Sequence, residues 1–428
     1  MPYLSQNSQV NHFPETLTRT VGILWSSVTG ACIASNQSSD SKVWQLFLRL
    51  SYYPLLDMSR SVDIHSNLRR KPDPELATES NDKGFLSRLN AVRLIVVTLI
   101  AIGYASTMSI GPGSVEWLNT FGYDPSLYGL QVLFFLSGWL AWRSLSLGRS
   151  VQSFVHNRAR RILPWVALYT AIVVAGLYPV LCDHDAPLTK GITDLFLYFV
   201  KTVTLIQPGE PMPGALDSAL YACSLQGTIW TLRWGALAYI AILVLHSLRL
   251  RQNSLYLIAL IGMIIGHIAV NSWTDMTEAE TLQPLIPGLR LGMAFLLGIV
   301  VRQNMHHLPK TLRGWLIIAF SLIGLAAAHY YCFPWSYGIE LIATAGWCAL
   351  AMALLYSKSN LLSDWTDIIL PVYLGIWPIT QVWLYAVPDI DVPQLIILAL
   401  ATTFAVAIAF RGLASLLLRP IHRRVQTA

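Results

Sequence analysis

Three arginines crowd the segment SFVHNRARRILPWVALY: Arg158, Arg160 and Arg161 stand immediately before an apolar run. Guanidinium groups placed so closely beside a membrane suit two tasks. They can hold the phosphates of a nucleotide-like donor through charge-assisted pairs, or they can fix topology by keeping their loop on the cytoplasmic side. Spacing alone favours the second. Arg93, Arg233 and Arg290 fall within apolar runs, where a charge is costly and is usually functional or paired. Arg290, near the end of its run, reads as snorkelling or bonding to loop carbonyls; for Arg93 and Arg233 functional and structural readings stand level. Among the histidines, His184 lies between Asp183 and Asp185, a run that binds a metal, raises a histidine pKa or is simply solvated. His267, in IIGHIAV, has no acid nearby in sequence and reads as a hydrogen-bonded core histidine. His329 ends an apolar run, and His306 and His307 sit among cations in a loop.

These groups need a scaffold, and composition points to the kind. Hydrophobic residues make up 54% of the 428 positions and charged residues only 12%. That charge is too sparse to cover a soluble protein of this size, whereas a lipid-facing surface needs no such cover. The net charge of +6 is spread between apolar segments rather than gathered on one patch, which argues against nucleic acid as a partner. Five cysteines show no CxxC and no ligand spacing, so no structural zinc or other metal site is expected. Cys182 and Cys223 end one long outer loop, where a disulfide and two free thiols are both open.

From Arg93 onward apolar runs recur at lengths that suit bilayer crossing, at 93–110, 127–145, 162–180, 228–247, 255–271, 285–301, 312–330, 338–356, 368–386 and 393–414. The shorter ITDLFLYFVKTVTLI, with Asp194 and Lys201, reads as an interfacial or re-entrant helix. One set of loops carries Arg143, Arg149, the 158–161 arginines, Arg249, Arg251, Arg302, Lys310, Arg313, Lys358, Arg419, Arg423 and Arg424. The opposite set carries Asp183, Asp185, Asp275, Glu278, Glu280, Asp389 and Asp391, with only Lys190 and Lys201 as cations. This alternation predicts an all-α polytopic membrane protein of about ten spans with both termini cytoplasmic. Residues 1–84, rich in Ser, Asn, Asp and Arg, read as a polar cytoplasmic extension, disordered in part. They show no basic n-region followed by an apolar h-region, and so no cleavable signal peptide; a start at Met58 is an alternative. Residues 85–428 form the transmembrane domain.

The ordered segments GLQVLFFLSGWLAWRSL (129–145), SFVHNRARRILPWVALY (153–169), PGALDSALYACSLQGTIWTLRWGALAY and DIILPVYLGIWPITQ (367–381) resemble the integral membrane acyltransferase-3 family. That family shows an FFxLSGxL helix, a basic loop F-x-x-R-x-x-R-I-x-P, a W-T-L-R-x-E-x-x-x-Y stretch and a late D-x-S-Y-G-x-Y-L-x-x-x-P-x-x-Q. The resemblance covers roughly 85–420 and implies transfer of an acyl group, most often acetyl, from acyl-CoA to a hydroxyl on a cell-surface polysaccharide or lipid-linked glycan. It implies a multi-pass cell-membrane protein, bacterial inner membrane foremost, with membrane lipid and glycan as partners and acyl-CoA as donor rather than bound cofactor.

On this footing Arg93 and Tyr104 are the candidate catalytic pair, and Arg158, Arg160 and Arg161 the donor-binding set. Trp230, Arg233, Tyr239, Pro378 and Gln381 are motif residues. Ser137 and Gly138 read as close-packing residues rather than a nucleophile and its neighbour, and Gly292 and Gly298 read the same way. The chain departs from the family at several polar positions. The expected histidine is Tyr104 and the expected glutamate is Gly235; Ile369, Leu370, Pro371 and Leu418 replace further motif residues. An unperturbed tyrosine, with pKa about 10, is a poor base at pH 7, so Tyr104 is expected to donate a hydrogen bond. A non-catalytic relative that binds, assembles or exports polysaccharide is the alternative. A transporter would need inverted repeats and broken helices.

Overall fold

The structure, a computed structural model, describes residues 83–111, 124–181, 188–209, 224–248, 252–277, 280–332, 337–357 and 368–426, together with Glu116, Asn119, Pro211, Met212 and Tyr221. The 1–84 extension, except its last two residues, lies outside that set, as do the Asp183–His184–Asp185 run and both Cys182 and Cys223. Every regular element described is helical. In chain order they are α1 (Lys83–Ile110), α2 (Pro125–Ser146), α3 (Val151–Ile172, continued through a π-turn at Val173–Leu177 into Tyr178–Leu181), α4 (Leu188–Val203), α5 (Trp230–Ser247), α6 (Asn253–Thr277), α7 (Ile286–Gln303), α8 (Leu312–Cys332), α9 (Tyr337–Leu355), α10 (Ile369–Ala386) and α11 (Val392–Gln426). The chain is an all-α polytopic membrane protein. Eight of these helices are long and apolar enough to cross a membrane. Two more helices are of similar length: α2, which is largely buried in the bundle, and α5, of which only Thr231, Ile242 and Leu243 are buried.

Two expected boundaries are corrected. The first helix begins at Lys83 rather than Arg93, because Phe85, Leu89 and Val92 recur at helical spacing and are buried, while Arg88 Nε donates to the Leu355 carbonyl at 2.8 Å. The segment 153–161, expected as a loop, forms the opening turns of α3. Ser150 caps it, its hydroxyl accepting from the Ser153 N–H at 3.2 Å, which satisfies one orphan donor of the helix start. Hydropathy marks where apolar surface begins, whereas a helix runs on into water as long as its backbone bonds are met. The expected interfacial segment is α4, which packs on α3 through Tyr198 and leaves Phe196 and Leu197 exposed.

Close packing fixes α2 against α7. A Cβ on Gly138 would overlap the Phe295 carbonyl, and a Cβ on Gly298 would overlap the Phe135 carbonyl. The two glycines let the backbones approach in a reciprocal contact, the small-residue device of membrane helix pairs. Gly292 receives the Met263 methyl of α6.

A polar network ties α2, α6, α7 and α9 together. Glu340, fully buried, ion-pairs with Arg290 and accepts from Gln131 Nε2 at 2.7 Å; His267 Nε2 lies 3.3 Å from its other oxygen. Thr344 donates to Gln131 at 2.6 Å, and Asn271 lies beside the second His267 nitrogen. Arg290 therefore pairs with a carboxylate in the bundle instead of snorkelling to loop carbonyls. The reason is tertiary: Glu340 comes from a helix that the sequence around Arg290 does not reveal.

Candidate functional site

The candidate site is built on one face of α1. Arg93 and Tyr104 are eleven residues apart, close to three full turns, so they share that face with about 16 Å of helix between them. Each is met by a different cluster.

Among the described residues, the side-chain charges around Arg93 are positive. Arg158 and Arg161 of α3 lie within electrostatic range of it, with Tyr239 of α5 between the helices. Arg158 and Arg161 are three residues apart and share a helix face. Arg160 is exposed, as Arg161 is, but helical phase turns it off that face, and the charges acting on Arg93 are those of Arg158 and Arg161. The Arg158 guanidinium lies 5.3 Å from the Phe154 ring centroid and 5.0 Å from that of Tyr239, and Tyr239 meets Phe154 and Phe295 edge-on. These aromatic contacts hold the guanidinium without neutralising it. No carboxylate forms an ion pair with Arg93, Arg158 or Arg161 among the described residues. Arg233, half-buried in the first turn of α5, likewise has no ion-pair partner among them.

Around Tyr104 the groups are hydroxyls and indoles. Its ring meets Trp377 of α10 edge-on at 5.5 Å, and Trp377 meets Tyr221 in the same way at 5.3 Å. The Tyr104 hydroxyl stands next to the Trp230 indole and the Tyr373 hydroxyl. It is buried and makes no hydrogen bond of ordinary geometry to either, though both stand close enough to bond to it weakly. Tyr373 donates to the Thr228 carbonyl at 2.9 Å and takes a hydrogen bond from the Thr231 hydroxyl. The Thr228 hydroxyl is also buried and unpaired. Tyr169 carries a third such hydroxyl, but it packs at Gly375, on another face of α10.

The chain before α5 is moulded onto α10. Trp377 Nε1 donates to the Ser224 carbonyl at 2.8 Å, and Gln381 Nε2 donates to the Ser224 and Tyr221 carbonyls at 3.2 and 3.3 Å. A Cβ on Gly227 would strike the Trp377 ring. Gln226 accepts from the Tyr198 hydroxyl of α4 at 3.0 Å and donates to Thr170 of α3 at 3.4 Å. Pro378 lies inside α10, where it has no backbone N–H to give the helix.

The structure thus brings together Arg93, Tyr104, Arg158, Arg161, Trp230 and Tyr239 on one track, with Gln381 behind it. Arg160 stands outside. Ser137 is half-buried, and no base is bonded to it among the described residues; with Gly138 it belongs to the α2–α7 seam. A Cβ on Gly235 would lie 3.8 Å from the Phe134 ring. Sequence reasoning missed Tyr373, Thr228 and Thr231 as parts of the site, although all three lie within the motif segments. It also missed Glu116, which no motif marked.

A family model described as an acyltransferase domain matches residues 86–412 of this chain. No curated protein and no solved structure matches it.

Proposed function

This chain belongs to the acyltransferase-3 family, and on that premise we propose that it transfers an acyl group, acetyl foremost, from acyl-CoA to a hydroxyl of a cell-surface polysaccharide or lipid-linked glycan, from the bacterial inner membrane. The observation that carries this reading is the track on α1: arginines with no carboxylate partner among the described residues at one end, and a buried, weakly held hydroxyl about 16 Å along the same face. The phosphates of coenzyme A pair with Arg93, Arg158 and Arg161, where charge-assisted bonds to guanidinium are strongest. The pantetheine arm then runs along α1 and brings the thioester carbonyl to Tyr104.

There the acceptor oxygen attacks the carbonyl carbon, a C–O bond forms and the C–S bond breaks. The acceptor's proton ends on the departing thiolate, so no net proton is gained or lost. The Tyr104 hydroxyl and the Trp230 indole N–H are donors for the carbonyl oxygen as charge builds on it. Tyr373, anchored on Thr228 and Thr231, holds Tyr104 from the other side. A tyrosine in this role needs no change of protonation.

The test compares acyl content and amount of surface polysaccharide in wild type, deletion and Arg93→Ala strains. The reading expects acyl content to fall in the deletion and the variant while the amount of polysaccharide stays constant. A second reading, a non-catalytic relative that assists polysaccharide assembly or export, is favoured by Tyr104 and Gly235 at positions where the family carries histidine and glutamate. It expects the amount of polysaccharide to fall while its acyl content stays constant.

A further inference from the structure

Between α1 and α2 a single carboxyl group joins the two helices. Glu116, 4% exposed, accepts the Ser126 N–H at 2.9 Å, the Ser126 hydroxyl, and the Thr107 hydroxyl at 3.4 Å. Ser126 lies in the first turn of α2, whose backbone N–H groups lack helical acceptors; Thr107 lies one turn beyond Gly103 on α1. The carboxyl also fills the space where a Gly103 side chain would stand, since a Cβ there would overlap its Oε2. Asp124 fixes the loop in turn, accepting from the Glu116 N–H and the Asn119 amide, each at 3.0 Å. On the other side Tyr221, whose ring meets Trp377, lies 3.4 Å from the Thr107 carbonyl. Tyr104 is therefore flanked in its own turn by the two positions, Gly103 and Thr107, that Glu116 touches.

We propose that Glu116 is the positioning residue of the site: its carboxyl pins the Gly103–Thr107 turn of α1 to the start of α2 and fixes where the Tyr104 hydroxyl stands against Trp230 and Tyr373. On losing its proton it is driven from this place toward water, because a buried charge with no cation beside it among the described residues costs more than the strengthened Ser126 and Thr107 bonds return. The groups around it make the loss consequential. Asp124 adds a like charge, Tyr104 and Tyr221 are neutral phenols within electrostatic range, and no cation pairs with it among the described residues. Burial, with a smaller push from Asp124, raises the Glu116 carboxyl to about 7, against opposing hydrogen bonds from Ser126 and Thr107. A carboxyl raised above its unfolded value binds its proton more tightly in the folded protein. The stability it contributes is complete below the unfolded pKa of 4.5 and is lost as pH rises through about 7.

The effect of Glu116 on stability does not depend on the acyltransferase reading; its effect on turnover rests on that reading. The experiment follows the thermal midpoint of the full chain in detergent from about pH 5 to about pH 8, together with acyl transfer at each pH, for wild type, Glu116→Gln and Asp124→Asn. The wild-type midpoint should fall with rising pH, and transfer should fall along one limb with an apparent pKa near 7. Glu116→Gln, a mimic of the protonated form, should flatten both profiles. Asp124→Asn should keep the limb and move it to lower pH. If Glu116→Gln retains the wild-type pH dependence of the thermal midpoint, the pin is wrong. If it flattens that profile while no variant transfers acyl groups, the pin stands and the acyltransferase reading fails. If transfer occurs and its limb persists in Glu116→Gln, positioning of Tyr104 by Glu116 is overturned.

Discussion

The rings of Tyr104 and Trp377 meet edge to face, with centroids 5.5 Å apart and planes at 75°. The contact packs α1 against α10, with the Tyr104 hydroxyl beside Trp230 and Tyr373. An edge-to-face pair is worth about 0.5–1.5 kcal/mol beyond the area it buries, enough to hold one ring orientation. The hydroxyl at its tip is only weakly held by those two groups, and a buried polar group short of partners is destabilising, by about 1–3 kcal/mol when it has none. A ligand carbonyl that accepted from it would recover that cost.

Tyr104→Phe separates the ring from the hydroxyl. The ring contact with Trp377 is kept and the weakly held hydroxyl is removed. The thermal midpoint in detergent is expected to stay level or rise. Acyl transfer is expected to drop roughly 100-fold, the scale of losing one oxyanion donor. A variant with wild-type transfer would remove Tyr104 from the chemistry.

Arg158→Ala and Arg160→Ala test the geometry of the basic cluster. Arg158 faces Arg93 and Tyr239, while Arg160 is turned away. Titration of acyl-CoA should show a KM raised about tenfold or more for Arg158→Ala, the effect of roughly one charge-assisted bond. Arg160→Ala should sit close to wild type. Equal effects from both would mean that the arginines act through total charge, as topology determinants do.

Much of this was legible in the sequence, and the failures have a common cause. Membrane helices declare themselves locally, because the bilayer demands an unbroken apolar run, and the loop charges declare which ends lie together. The basic cluster at 158–161 and the aromatic motif before Tyr239 could be read for the same reason. Glu116 could not: it is one acid in a short loop, and its importance arises only when Gly103, Thr107 and Ser126 fold around it. Arg290 and His267 were visible as polar groups in apolar runs, but their shared partner Glu340 lies 50 residues beyond Arg290, and no periodicity connects them. Arg160 shows the converse. Three arginines look equivalent in a string, and only helical phase separates 160 from 158 and 161.

The Glu340 network gives a stability prediction independent of function. Arg290→Ala leaves a buried carboxylate without its guanidinium, and breaking such a pair destabilises by about 3–5 kcal/mol. Arg290→Met with Glu340→Gln removes both charges and should recover much of the loss. Thermal unfolding in detergent, read as a double-mutant cycle, checks this; additive effects would contradict the pairing.

At the α2–α7 seam, Gly138→Leu or Gly298→Leu should abolish the folded protein, because each side chain would meet the facing carbonyl. Gly324→Leu, at a helix position where an added Cβ meets nothing within 4 Å, serves as the control and should express normally. Monodispersity in size-exclusion chromatography is the readout. Normal behaviour of either seam variant would contradict the close approach of the two helices.

The most direct test of the central claim is transfer by the purified chain itself. Wild type, Arg93→Ala and Tyr104→Phe are reconstituted in lipid vesicles with a lipid-linked glycan acceptor. Acyl-labelled coenzyme A thioester is supplied at the basic-loop face, and label in the glycan is counted. The account predicts label that depends on wild-type protein, falls sharply in Tyr104→Phe and is recovered in Arg93→Ala only at much higher thioester concentration. Glycan that gains no more label with wild-type protein than with empty vesicles, under conditions where the protein remains folded, would contradict it.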